Sequence, residues 1–201
     1  MMEPADSAKK FDPFSDRRSR DIRNSLAEAF VTSLTYKDQT VYRNVARQWQ
    51  AENLAPVYND YIADRLQRYG LVFEQIQHNH LDDQLLEALV IWNCGLFFEV
   101  HDHLEIIWRQ TSGEERQALK GLIKAAGVYV HLGHHHQQAA ERLAGKSFTL
   151  MRQHAHCLDF IANLKVLLEN LKNLAPDPPR LENPAIRSTQ TSTSPTDARG
   201  R

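Results

Sequence analysis

The chain has 201 residues, a length that suits one domain with appended segments and a substantial buried core. Its 24 Lys and Arg balance 25 Asp and Glu, and a formal net charge of -1 offers no global field for nucleic acid or an anionic membrane surface. A hydrophobic fraction of 42% with 8 Gly favours a helix-rich globular protein.

No run of about 18 apolar residues exists to span a bilayer, and the opening Met-Met-Glu-Pro-Ala-Asp lacks the basic and apolar regions of a signal peptide. Cys94 and Cys157 are too few and too widely spaced for a disulfide framework, so both are expected as reduced thiols in a cytoplasmic protein.

Residues 1–14 carry Pro4 and Pro13 with little periodicity and read as a disordered leader. Ser15 or Asp16 can cap a helix running to about Leu34 on Ile22, Leu26, Ala29 and Phe30. Arg17, Arg18, Arg20 and Arg23 crowd its start, but Asp16, Asp21 and Glu28 interrupt them, as expected of a solvated face. A second helix is predicted from near Asp38 to Glu52, and a third from Pro56, whose missing N–H is harmless in a first turn. Tyr58, Tyr61, Ile62, Leu66 and Tyr69 give that helix an apolar face, which Gly70 could interrupt. Residues 15–80 thus read as an N-terminal helical extension packed on residues 81–174.

A long helix is predicted from near Asp82 to Gln110, with Gly95 as a weak point. At about 100° per residue, Phe97, Val100, Leu104 and Ile107 form one stripe, while Cys94, Phe98, His101, Glu105 and Trp108 form the next. The two merge into one broad face expected to be buried, opposite Glu99, Asp102, His103, Arg109 and Gln110. His101 and Glu105 therefore occupy the apolar half, where burial without partners is costly, and at i and i+4 they can reach a common point.

Thr111-Ser112-Gly113 is a short link, so the next helix should run antiparallel alongside. Counting outward from the turn sets Lys124 level with His101 and Lys120 level with Glu105. His131 lies further along the same stripe. The run Gly133-His134-His135-His136 breaks this helix, and its three histidines cannot share one direction, which fits adventitious surface metal binding. Phe148, Met151, Leu158, Ile161, Leu164, Leu167 and Leu171 carry one or two closing helices, and residues 175–201 turn to Pro, Ser, Thr and charge, a disordered tail by composition.

The string His101-x-x-x-Glu105-x-x-Trp108, preceded by Asn93-x-Gly95 and Phe98-Glu99 and followed by Gly121-Leu122-Ile123, resembles the signature of domain-of-unknown-function family 309 (DUF309) over about Trp92 to Ala144. The resemblance implies an all-helical bacterial or archaeal domain without an assigned activity. The family usually carries Glu where this chain has Asp102 and Gln where it has Lys124. The same string also looks like one found in some DinB-like four-helix bundles, a group that often holds a metal among its helices.

The expected fold class is therefore an all-α helical bundle with an N-terminal helical extension and disordered tails. The candidate site comprises His101, Glu105, Trp108, Lys124, His131, Asn93 and Glu99. Three readings stay open: His101 and Glu105 as a structural pair in a non-catalytic interaction or scaffold module; His101, Glu105 and His131 as ligands of a divalent metal ion; and metal-free acid/base chemistry by the pair. Neither nucleic acid nor membrane is expected as partner, while a small-molecule or protein partner, homo-oligomerisation and enzymatic activity are left open.

Overall fold

A computed structural model describes residues 10–186, and within them the chain forms eight α-helices, one 3-10 turn and no strand. The helices are α1 (Arg17–Tyr36), α2 (Thr40–Gln50), α3 (Pro56–His78), α4 (Gln84–Asn93), α5 (Phe97–Gln110), α6 (Gly113–Gly133), α7 (Gln137–Gln153) and α8 (Leu164–Lys172), with the 3-10 turn at Ala155–Leu158. No helix among them is long and apolar enough to cross a membrane.

The helix starts follow local chemistry. Asp16 caps α1 by accepting from Ser19 N at 2.9 Å, and Asp83 caps α4 by accepting from Leu85 N at 2.7 Å. Pro56 opens α3, which continues through Gly70 without interruption.

The helix expected from 82 to 110 is in fact two. Gly95 adopts φ +71°, its N–H bonds Trp92 O at 2.8 Å, and Leu96 N–H bonds Ile91 O at 3.3 Å, the paired bonds of a left-handed helix stop. An Arg68 guanidinium nitrogen seals the break by donating to Cys94 O at 3.1 Å, and it lies 2.7 Å from where a Cβ on Gly95 would stand. α5 then restarts in a new phase.

One hydrophobic core runs through both halves of the chain, from Ile22, Leu26 and Phe30 of α1 to Met151 and Leu167. The N-terminal helices share this core through Phe30 stacked on Tyr69 at 4.1 Å, with Tyr42 edge-on to Tyr69 at 5.3 Å. α6 is the central helix, flanked by α5 and α7. Gly121 permits the close approach of α7: an added Cβ would lie 2.6 Å from Met151 Cγ, and Ser147 Oγ donates to Gly121 O at 2.7 Å.

The expected tail is not free over its first part. Residues 175–186 form a strap whose Leu181 is 2% exposed. Asn93 clamps it in both directions, donating to Leu181 O and accepting from Leu181 N, each at 2.8 Å, while Trp92 Nε1 donates to Pro179 O at 2.9 Å. Asn163 does the same with Arg180 O and Glu182 N. Composition reads this segment as disordered because it lacks periodicity, but side-chain amides satisfy its backbone in place of a helix. The end of the leader expected at residues 1–14 is also packed, with Phe11 stacked on Tyr61 at 3.7 Å; residues 1–9 of that leader and 187–201 of the tail expected at 175–201 lie outside the described residues.

Leu181→Ala should cost about 2 to 4 kcal/mol, and lower the melting temperature by roughly 5 to 15 °C. Val166→Ala, at a side chain that is 48% exposed, should leave thermal unfolding followed by circular dichroism almost unchanged.

Candidate functional site

α1, α5, α6 and α7 line a solvent-open cavity of about 410 Å³ that collects most of the candidate residues. α5 contributes Phe98, His101, Glu105 and Trp108, and α6 contributes Lys120, Ile123, Lys124, Gly127, Val130 and His131. Arg23 of α1, Leu143 of α7 and Phe14 complete the wall. The stripe of Lys120, Lys124, Gly127 and His131 thus lines the same cavity as His101 and Glu105. Gly127 is packed at its back, where a Cβ would meet Leu143 Cδ1 at 3.4 Å.

His101 and Glu105 are not deeply buried as expected. Their side chains are 38% and 35% exposed, with Nε2 and Oε1 3.7 Å apart, near enough for charge attraction but too long for a hydrogen bond. His101 Nδ1 also lies 3.2 Å from Asp102 Oδ1, and Arg109 pairs with Glu105 at 3.2 Å. His101 therefore sits between two carboxylates at the cavity wall.

The polar face assigned to Glu99 and His103 is instead interior. Glu99 is 1% exposed and His103 4%. Tyr69 OH donates to Glu99 Oε1 at 2.8 Å, and Arg65 lies 3.8 Å from the same oxygen. Burial foremost, then the Glu99 charge, raises the Tyr69 phenol well above its usual range and keeps it a donor. His103 Nε2 lies 3.0 Å from the Gln84 carbonyl and donates to it. The buried arc of α5 runs from Val100 and Leu104 toward these two partnered groups, and His101, Glu105 and Trp108 lie on its other flank. Partners on α3 and α4 decide which flank is buried.

Two candidates leave the site altogether. Asn93 clamps the C-terminal strap, and Glu99 borders a second cavity of about 260 Å³ with Tyr61, Arg65 and Gly95. The proposed metal triad does not converge either: among the described residues, the one set of three such donors within 4.8 Å is Glu114, His156 and Cys157, without His101, Glu105 or His131. His131 instead meets His136, Nδ1 to Nδ1 at 3.5 Å, and both rings pack on Phe14.

Sequence reasoning missed Arg23 and Phe14. Arg23 was expected on a solvated face, yet its guanidinium stacks 3.9 Å above the Phe98 ring and lines both cavities. Its place on the apolar side of α1, seven positions or about two turns before Phe30, is the available signal. Phe14 falls within the expected leader and gave no periodic signal. His154-x-His156-Cys157 sets three metal-binding residues within four positions, a signal that the sequence also carries.

The electrostatics of the main cavity are cationic. Arg23, Lys120 and Lys124 face one carboxylate, Glu105, which Arg109 already engages. Burial first, then the charges of Lys120 and Lys146, holds the Lys124 ammonium below the usual lysine range. The Trp108 indole N–H is buried without a partner, while Arg116 covers the ring at 3.8 Å. Burial, followed by the nearby His136, lowers His131 as well.

Residues 85–143 match the family model described as a Domain of unknown function (DUF309), the family resembled by the sequence. No curated protein and no solved structure matches the chain.

One buried neighbour gives the region a pH signature. Glu87 lies 3.7 Å from His103 Nε2, and burial foremost raises its carboxyl to about 7. The unfolded chain releases that proton near 4.5, so deprotonation favours unfolding as pH rises between these values. Thermal melts from about pH 5 to 7.5 should therefore show a stability decline contributed by Glu87 that disappears in Glu87→Gln. A wild-type and variant difference that stays constant across the range would refute this assignment.

Proposed function

We propose, with residues 85–143 as a DUF309 domain, that the chain is a cytoplasmic binding protein for a small, partly apolar anion. The ligand is a carboxylate or phosphate ester with an aliphatic or aromatic body. The observation that carries this reading is the convergence of Arg23, Lys120 and Lys124 on one apolar-walled cavity against the single carboxylate of Glu105; burial and like charges hold the Lys124 ammonium below its usual range in the same place. Phe98, Trp108, Ile123, Val130 and Leu143 supply the apolar wall. The half-exposure of His101 and Glu105 at this wall favours contact with a ligand over a purely structural pair. His101, flanked by Glu105 and Asp102, is placed to take or give a proton to whatever occupies the cavity.

The 3.7 Å approach of His101 Nε2 to Glu105 Oε1 supports a second reading, in which these two groups hold a divalent ion with open positions and the anion completes its shell. Metal content measured on untagged protein and on His101→Ala separates the two readings.

Binding of octanoate, benzoate and phenyl phosphate, followed by tryptophan fluorescence and calorimetry, tests the proposal directly. Lys124→Met should weaken the best of these about tenfold or more, the loss of one charge-assisted contact. Lys165→Met, at an exposed lysine outside the cavity, should change nothing. Equal weakening by both variants, or no binding of any of the three anions, would overturn the reading.

A further inference from the structure

We propose that Glu114, His156 and Cys157 bind a single Zn²⁺ ion, clamping the start of α6 to the turn that follows α7. A carboxylate oxygen, an imidazole nitrogen and a thiol sulfur lie here within 4.8 Å of one another. They come from two segments brought together by tertiary packing, with His156 Nε2 2.9 Å from Glu114 Oε2 across 42 positions. None of the three lines the main cavity.

The donor chemistry selects the metal. A thiolate with an imidazole and a carboxylate suits borderline-soft zinc, whereas magnesium and calcium take oxygen ligands. Ligand atoms of a tetrahedral zinc stand roughly 3.3 to 3.7 Å apart, so a group already gathered within 4.8 Å needs side-chain movements of only about 1 Å.

Access and charge agree with this assignment. Glu114 and His156 are each 66% exposed, and Cys157 is a free, half-buried thiol. Glu115 and Asp159 add negative charge beside Cys157. On binding, Cys157 gives its thiol proton to solvent and ligates as the thiolate, and His156 exchanges its contact with Glu114 for a shared ion. Water fills the fourth position. Three protein ligands and a solvent ligand make an exchangeable site rather than a closed structural one.

The test uses untagged full-length protein with Co²⁺ and Zn²⁺ alone as probes. One equivalent of Co²⁺ should produce a thiolate-to-cobalt charge-transfer band that Zn²⁺ displaces. Zinc at about 100 times its dissociation constant should raise the melting temperature by roughly 5 to 10 °C. Cys157→Ser should abolish the band, and His156→Ala should weaken binding by about tenfold or more.

The band should survive simultaneous replacement of His134, His135 and His136 by Ala, which removes the competing surface histidines. In wild-type protein, zinc should slow alkylation of Cys157 and leave that of Cys94 unchanged, a readout that needs no variant to fold. Absence of the band in wild type, its persistence in Cys157→Ser, or its loss with the three histidines would overturn the assignment.

Discussion

The break at Gly95 is the constraint on which the site depends. A left-handed residue between α4 and α5 ends one helix and starts the next in a new phase, so that Glu99 and His103 turn inward while His101, Glu105 and Trp108 border the cavity. Continuing α4 without a break would carry α5 out of register with α6. Arg68 reinforces the stop by occupying the space a side chain on residue 95 would need, and its hydrogen bond caps an otherwise orphaned carbonyl.

Burying Glu99 is possible because Tyr69 and Arg65 arrive from α3 with a hydrogen bond and a positive charge. The aromatic stack of Phe30 on Tyr69 fixes the phenol from behind, which ties α1 and α3 to the orientation of α5. The N-terminal helices are therefore part of the site's support. Arg23 of α1 extends that role, since its stack on Phe98 forms the partition shared by the two cavities. Strong apolar packing thus holds polar groups whose burial would otherwise be unfavourable.

The chain places its charges unevenly in spite of near-neutral totals. Cationic side chains converge on the main cavity, where apolar walls strengthen their field, while the α6 start and the turn after α7 gather acids, an imidazole and a thiol on the surface. The first arrangement suits an anion with an apolar body and the second a soft divalent cation. Net charge reports neither, because each arises from a handful of residues brought together by helix packing.

The sequence by itself determined the all-α class, the starts of α1, α3 and α4, and the level of His101 and Glu105 with Lys124 and Lys120 along the antiparallel α5–α6 pair. Those features depend on caps, periodicity and a short link, all legible within a few residues. Tertiary structure alone decided which flank of α5 is buried, because the partners of Glu99 and His103 come from Tyr69, Arg65 and Gln84, 19 to 34 positions away in the chain. It also decided that the proline-rich segment after Ala175 is a strap, because Asn93 and Asn163 satisfy its backbone across a distance no periodicity records. Local patterns specify where a chain will coil, whereas the fate of a polar group depends on whether a distant partner is present to receive it.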